Sequence, residues 1–380
     1  MTTREVWITG IGLVSNLGEG IEPHLAALAG EARAKVDSES FAPYAVHPVV
    51  PLEWDRQIPK KADQRQMEPW QRLGVYAAGL ALADAGVKED RELLGRMHLI
   101  VAAGGGERDY AVDGQILSGL PKSPAPGAFL NERLMSDLRP TLFLAQLSNL
   151  LAGNISIVHG VTGASRTFMG EEQAGVDAVR IAAERIAADQ GDIFLVGGAY
   201  NAERPDVLLI YEMGGFLWKN GFVPVWDRPA AGGGFIPGSG AAFLVFEARD
   251  HAEKRGARPI AVLRGVAADQ VRRGPGATER SLTALWRSIA DGFSDEAGAV
   301  FSGASGVAGL TEEERSALAA LAPDAAVYAT NELFGNMLEA QFPAGLALAA
   351  AALGRSVVAE AVVTSVGHVR GEGLAFLGKA

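Results

Sequence analysis

Short apolar runs closed off by glycines recur along the whole chain, and stretches of helical periodicity separate them. The runs are Val6–Ile8, Leu99–Ala103, Ile193–Val196, Ala241–Phe246, Ala261–Leu263, Val327–Ala329 and Ala361–Val363. Each is a few residues long and mostly aliphatic, the pattern of a buried strand. The clearest helix spans residues 172–188, where Gly175, Ala178, Val179, Ala182 and Ile186 share one face while Asp177, Arg180, Glu184 and Arg185 lie opposite. Strands alternating with helices predict an α/β protein whose helices cover a largely parallel or mixed sheet. A chain of 380 residues, 48% hydrophobic and 21% charged, is too long for one simple core and suits two packed halves. The charged stretch Arg249–Arg258 ends one strand run and places the junction near residue 255, giving halves 1–255 and 256–380. No low-complexity linker separates them, so they are expected to pack closely. Residues 104–151 break the rhythm: LPKSPAPGAF marks an irregular excursion and LRPTLFLAQLSNLLAG reads as an apolar helix. That region is predicted to be a subunit-contact element or, alternatively, a surface loop returning to the core.

Several function classes drop out on composition. The net charge is −11 and no basic block is present, which argues against a nucleic-acid partner. The opening MTTREVWITGIG has none of the signal-peptide features, so a cytoplasmic protein is expected. The run Ala344–Leu353 is far shorter than the ~20 residues that span a bilayer and reads as a buried helix. There is no cysteine, which removes disulfides, thiolate metal sites and every cysteine-nucleophile mechanism. His24, His47, His98, His159 and His251 stand singly with no metal-ligand spacing, and the GGG triplets at 104–106 and 232–234 lack a following Lys-Ser/Thr pair. No metal or cofactor is expected.

Five segments, in order, carry a family resemblance: REVWITGIGLVSNLG, KKADQRQMEPWQRLGVYAAGLALADAG, AGNISIVHG, GDIFLVGGAY and VPVWDRPAAGGGFIPGSGAAFLVFEARDHAEKRGA. In these the chain resembles the β-ketoacyl-acyl carrier protein synthase II family of condensing enzymes over nearly its full length. The resemblance implies a thiolase-like fold, two pseudo-repeated halves in a layered α-β-α-β-α arrangement. Active members of that family place a cysteine at the start of a buried helix, where helix amides stabilise the thiolate. Within GASRTFMGEEQAG the matching position is read as Thr167, or Arg166 or Phe168 with a shift of one. The family's first histidine, in a His-Gly-Thr turn, becomes Ser302 of AVFSGASGVAG; its Lys-Ser-x-x-Gly-His motif becomes Asn331 through Asn336. In the terminal loop TSVGHVRGEG, His368 replaces the gating phenylalanine, and Val369 and Arg370 replace glycines whose conformations they resist.

Serine and asparagine carry no proton near neutral pH and supply no cation beside a carbanion. The resemblance therefore implies a degenerate member with no catalytic residue, similar to the chain-length factors that pair with an active synthase and shape its acyl tunnel, in fatty acid, very-long-chain acyl or polyketide-type synthesis. The implied partners are that active subunit, as a heterodimer, and acyl carrier protein. Lys60, Lys61 and Arg65 stand where family members meet the carrier protein, and they equally suit a solvated helix start. Two other readings remain open: an acyl-thioester hydrolase or transferase using Thr167 or Ser165 with His368 as base, and a self-contained acyl- or carrier-binding homodimer.

Overall fold

The computed structural model describes residues 4–380 except 141, 143–145 and 297. Ten strands form one sheet: β1 (Val6–Val14), β2 (His98–Ala102), β3 (Ser165–Phe168), β4 (Ile193–Tyr200), β5 (Gly240–Ala248), β6 (Ala261–Asp269), β7 (Gly298–Ser302), β8 (Ala326–Ala329), β9 (Glu360–Val366) and β10 (Glu372–Gly378). Their spatial order is β3-β2-β4-β5-β1-β6-β10-β9-β7-β8. From the centre outward, each block of five runs through the same sequence of strands. Pairing senses repeat too: β5 is antiparallel to β1 and β4, as β10 is to β6 and β9, while β2 runs parallel to β3 and β4 as β7 does to β8 and β9. The blocks meet where Val6–Ile8 of β1 pairs antiparallel with Ala261–Leu263 of β6.

Helices α1 (Pro69–Asp84) and α2 (Leu150–His159) cover the first block, with α1 lying on β1, β5 and β4. Helix α3 (Glu172–Ala187) starts after β3, and α4 (Pro205–Met213) follows β4. Helix α5 (Ala277–Ile289) lies on β6 and β10, with α6 (Leu310–Leu321) beside it. Helix α7 (Gln341–Gly354) packs on α3, and both touch strands of the two blocks. The layers therefore run helix, sheet, central helices, sheet, helix. The centre suits α7 because every residue from Gln341 to Leu353 is buried and most are small, so backbones approach it from all sides. In the outer layer, α1 meets the sheet at backbone distance. A Cβ on Gly10 or Gly12 would lie 2.4 or 2.0 Å from the carbonyl oxygens of Ala81 and Ala77, and one on Gly74 would lie 3.0 Å from Ala199.

Six of the seven sequence-derived strand runs fall inside strands, Leu99–Ala103 overruns β2 by one residue, and α3 matches the expected helix to within a residue. The excursion differs. It forms helices over Tyr110–Gly119 and Pro126–Ser136, and the expected apolar helix from Leu138 is interrupted by turns at 146–149 before α2 begins at Leu150; positions 141 and 143–145 lie outside the described residues. Leu150 and Ala152 are thus the start of a separate helix. Among the described residues no helix is long and apolar enough to cross a membrane.

Candidate functional site

The centre of the site is the turn from β3 into α3. The chain passes Gly170 at φ +132° and then Glu171 at φ 59°, ψ −139°, before the helix begins at Glu172. Positive φ on a non-glycine residue costs about 1–3 kcal/mol and persists where the surroundings hold it. Unpaired amides and the helix dipole favour negative charge here, and this chain places two carboxylates at that point.

His368, carried by the turn between β9 and β10, closes over the pair. Its Nδ1 lies 3.0 Å from both carboxylate oxygens of Glu172, and its Nε2 lies 3.5 Å from Glu171. Asn336 donates from its side-chain nitrogen to Glu172 at 3.2 Å. The ring sits in an aromatic box, with centroids of Phe216, Tyr211 and Phe235 at 4.8, 5.1 and 5.5 Å. Burial opposes a charge on the imidazole, but Glu172 and Glu171 overcome it and raise its pKa to about 10. Burial likewise pushes Glu172 upward, and His368, its helix amide and Asn336 together hold it below the ordinary value. The centre is thus an imidazolium clamped between two carboxylates. Glu171, Glu172 and His368 offer donor atoms within 4.8 Å of one another, the spacing of a cation site. The carboxylates address opposite ring nitrogens, so both are engaged with the imidazole.

The loop carrying His368 is braced. Gly367 and Gly371 close it with a 2.9 Å backbone hydrogen bond, and Arg273 donates to the carbonyls of Gly367 and Val369 and pairs with Glu372. Beside the clamp, Glu339 is buried, and burial followed by the charges of Glu172 and Glu171 raises its carboxyl to about 7. Glu339 also lines a cavity of about 410 Å³ with Trp70, Tyr200, Arg204, Ile210 and Tyr211.

The expected site positions divide. Thr167 is not at the helix start; the β2 ladder continues through the register pair Val101–Thr167, so Thr167 belongs to β3 and the helix start falls to Glu171 and Glu172. Ser165, exposed, begins the same edge strand. Asn336 and His368 meet at Glu172. Ser302 and Asn331 form a second buried knot: Ser302 donates to Glu314 at 2.7 Å, Asn331 donates to the Gly303 carbonyl at 3.0 Å, and Thr364 shares Glu314 at 2.5 Å. Lys60, Lys61 and Arg65 are exposed at the short helix Lys61–Gln66, with Lys61 paired to Asp55 at 2.6 Å. Sequence reasoning passed over Glu171, Glu172, Glu339 and Tyr200, although consecutive acids after Gly170 at a helix start were a usable signal.

With this fold and centre, the chain belongs to the beta-ketoacyl synthase family, whose N-terminal domain matches residues 3–252. It is 26% identical over 275 residues to 3-oxoacyl-(acyl-carrier-protein) synthase 2 of Vibrio cholerae serotype O1, covering 70% of this chain and 63% of that protein. It is 29% identical over 265 residues to the tetracenomycin polyketide synthase ketoacyl synthase beta subunit of Streptomyces glaucescens, covering 67% and 61%. The matched segment therefore spans less than two thirds of these relatives' length. The ishigamide ketosynthase/chain length factor structure superposes over the full length of both chains with a TM-score of 0.81 at 22% identity, which shows the shared thiolase-like fold.

Proposed function

We propose that this chain is a ketosynthase-like subunit with no condensing activity of its own, which pairs with an active β-ketoacyl-ACP synthase and shapes that partner's acyl tunnel. The observation that carries this reading is the Glu171–His368–Glu172 clamp at the start of α3, in a chain without cysteine. Condensation needs a nucleophile that accepts an acyl group as a thioester and releases it again. A carboxylate attacking a thioester would have to form an anhydride, which lies uphill, and Glu172 is already tied to His368 and Asn336. The positions where the family's lysine and second histidine would stand are held by Asn331 and Asn336, amides that do not titrate. The hydrolase reading loses its base for the same reason: an imidazolium with a pKa of about 10 accepts no proton at neutral pH.

The pairing rests on further support. Strand β3 is an edge strand with one side unpaired among the described residues, and such an edge invites a second chain. The relatives include one named as a polyketide ketoacyl synthase beta subunit and a structure named as a ketosynthase/chain length factor. In this reading the halves are residues 1–255 and 256–380, the excursion 104–151 contacts the partner, and Lys60, Lys61 and Arg65 meet the acidic carrier protein in the cytoplasm.

Co-expression with an active synthase tests it. The expected result is a stable heterodimer, no condensation by this chain alone, and a product length that shifts when cavity-lining residues of this chain are changed. Condensation of malonyl and acyl thioesters by the purified chain alone overturns the reading.

A further inference from the structure

The cavity beside the clamp has an uneven lining. Trp70, Ala199, Val207, Ile210, Tyr211 and Leu338 make its walls apolar, the setting of a hydrocarbon chain. Its polar members are mostly spent on the protein: Arg204 donates to the Gly106 carbonyl at 2.8 Å and to Asp206 at 2.6 Å, and Asn201 donates to Glu107 at 3.0 Å. Three groups are different. The Trp70 indole nitrogen, the Tyr200 hydroxyl and Glu339 Oε2 are buried polar atoms with no hydrogen-bond partner among the described residues, and all three residues are more than nine-tenths buried. Leaving a buried polar atom unpaired costs about 1–3 kcal/mol, so three in one cavity lining call for a ligand that satisfies them.

We infer that this cavity receives a segment of an acyl chain that carries a carbonyl or hydroxyl oxygen, with Tyr200 and Glu339 as the residues that select it over a saturated chain. A ketone oxygen has lone pairs for both groups: Tyr200 donates its hydroxyl proton, and Glu339 donates in its protonated form. Tyr200 keeps its proton throughout the working range, since burial and then Glu339 raise its pKa well above the ordinary value. Glu339, at about 7, carries a proton for much of the time near neutrality. A substrate hydroxyl fits equally, donating to the Glu339 carboxylate and accepting from Tyr200. A saturated chain would bury both groups unpaired. The cavity volume of about 410 Å³ lies within the range of small-molecule sites and admits a medium-length chain. The inference rests on reading the cavity as part of an acyl path, and it adds the chemical class of the acyl group.

The test is equilibrium binding to the protein in the form in which it purifies, alone or with its partner subunit. The probes are an eight-carbon acyl pantetheine and counterparts of equal length bearing one ketone along the chain. At least one keto probe should bind about tenfold more tightly than the saturated probe, the gain of one or two well-made hydrogen bonds. Tyr200→Phe and Glu339→Leu should each bring that ratio close to one, whereas Glu339→Gln, which keeps a donor and folds with the same shape, should retain most of it. Equal binding of saturated and keto probes, as when water alone satisfies the two groups, overturns the inference. So does a preference that survives both Tyr200→Phe and Glu339→Leu, or the absence of binding by every probe. Failure of the partner-subunit reading is read separately, because it appears as a missing heterodimer whatever the probe ratio.

Discussion

Replacing His368 by phenylalanine isolates the charge of the clamp from its packing. Phenylalanine keeps the ring volume and the contacts with Phe216, Tyr211 and Phe235, so the loss falls on Glu172, whose side chain is 3% exposed. A buried carboxylate stripped of its partner costs about 3–5 kcal/mol. Asn336 and the helix amides remain, and Glu172 can take up a proton, so the lower end, about 3 kcal/mol at neutral pH, is expected. The pH dependence has a definite sign. His368 is raised from 6.5 to about 10, so its contribution is complete below about 6.5 and fades as pH rises through about 10. Glu172 is held below the ordinary carboxylate value of about 4.5, so its contribution is present above about 4.5 and is lost as pH falls below that. His368→Phe should therefore flatten the alkaline decline and lose least at acid pH, where Glu172 protonates. Adding Glu172→Gln should recover all but about 1 kcal/mol, because a neutral pair needs no counter-charge. Urea unfolding of the two single variants and the double variant, with unchanged m-values, measures the cycle. A cost below about 1 kcal/mol for His368→Phe, or a double variant as unstable as the sum of its singles, refutes the clamp.

Other substitutions probe the frame and the lost chemistry. Glu172→Cys should give a thiol that iodoacetamide can label but no condensation in a malonyl-thioester assay, since Asn331 and Asn336 remain amides. Glu314 is buried between the hydroxyls of Ser302 and Thr364 and its carboxyl is pushed up by burial; Glu314→Leu should cost about 2 kcal/mol in denaturant unfolding by orphaning both hydroxyls. Glu314→Gln should gain on the wild type as pH rises above about 4.5, because a raised carboxyl pKa weakens the fold in that direction. Buried Glu247 is held by Arg255, by His251 at 2.9 Å and by Thr9 at 2.5 Å; burial pushes it up, and these partners bring it down to about 2. Arg255→Met should cost about 3 kcal/mol at neutral pH. The wild-type stability from Glu247, present above about 4.5, should fade as acid titration approaches about 2.

The sequence disclosed the frame better than the site. Strand β4 and, up to Phe246, strand β5 are without a charged residue, and the Glu172–Ala187 helix carries its buried face at regular spacing, so hydrophobic pattern alone located them. Strand β3 escaped because Ser165, Arg166 and Thr167 sit on the outer edge of the sheet, where exposure removes the apolar signal. That omission displaced the expected nucleophile position to Thr167, since the residues now seen to complete a strand were counted as the turn. The terminal match fared better: Asn336 and His368 lie at the centre, at positions fixed by motif spacing. Glu339 was invisible because nothing in LFGNMLEAQF indicates that Leu338, at φ +42°, turns the next carboxyl inward.

The contact between α1 and the glycines of β1 reaches further than local stability. Helix α1 also rests on β4 through Gly74 and Ala199, and Ala199 is the immediate neighbour of Tyr200. A methyl group introduced at Gly12 or Gly74 would shove that outer rod away from the strand ends, and the far wall of the chamber would shift with it. The bore is thus gauged from the outside of the molecule, by hydrogen atoms in positions where any carbon would be too large.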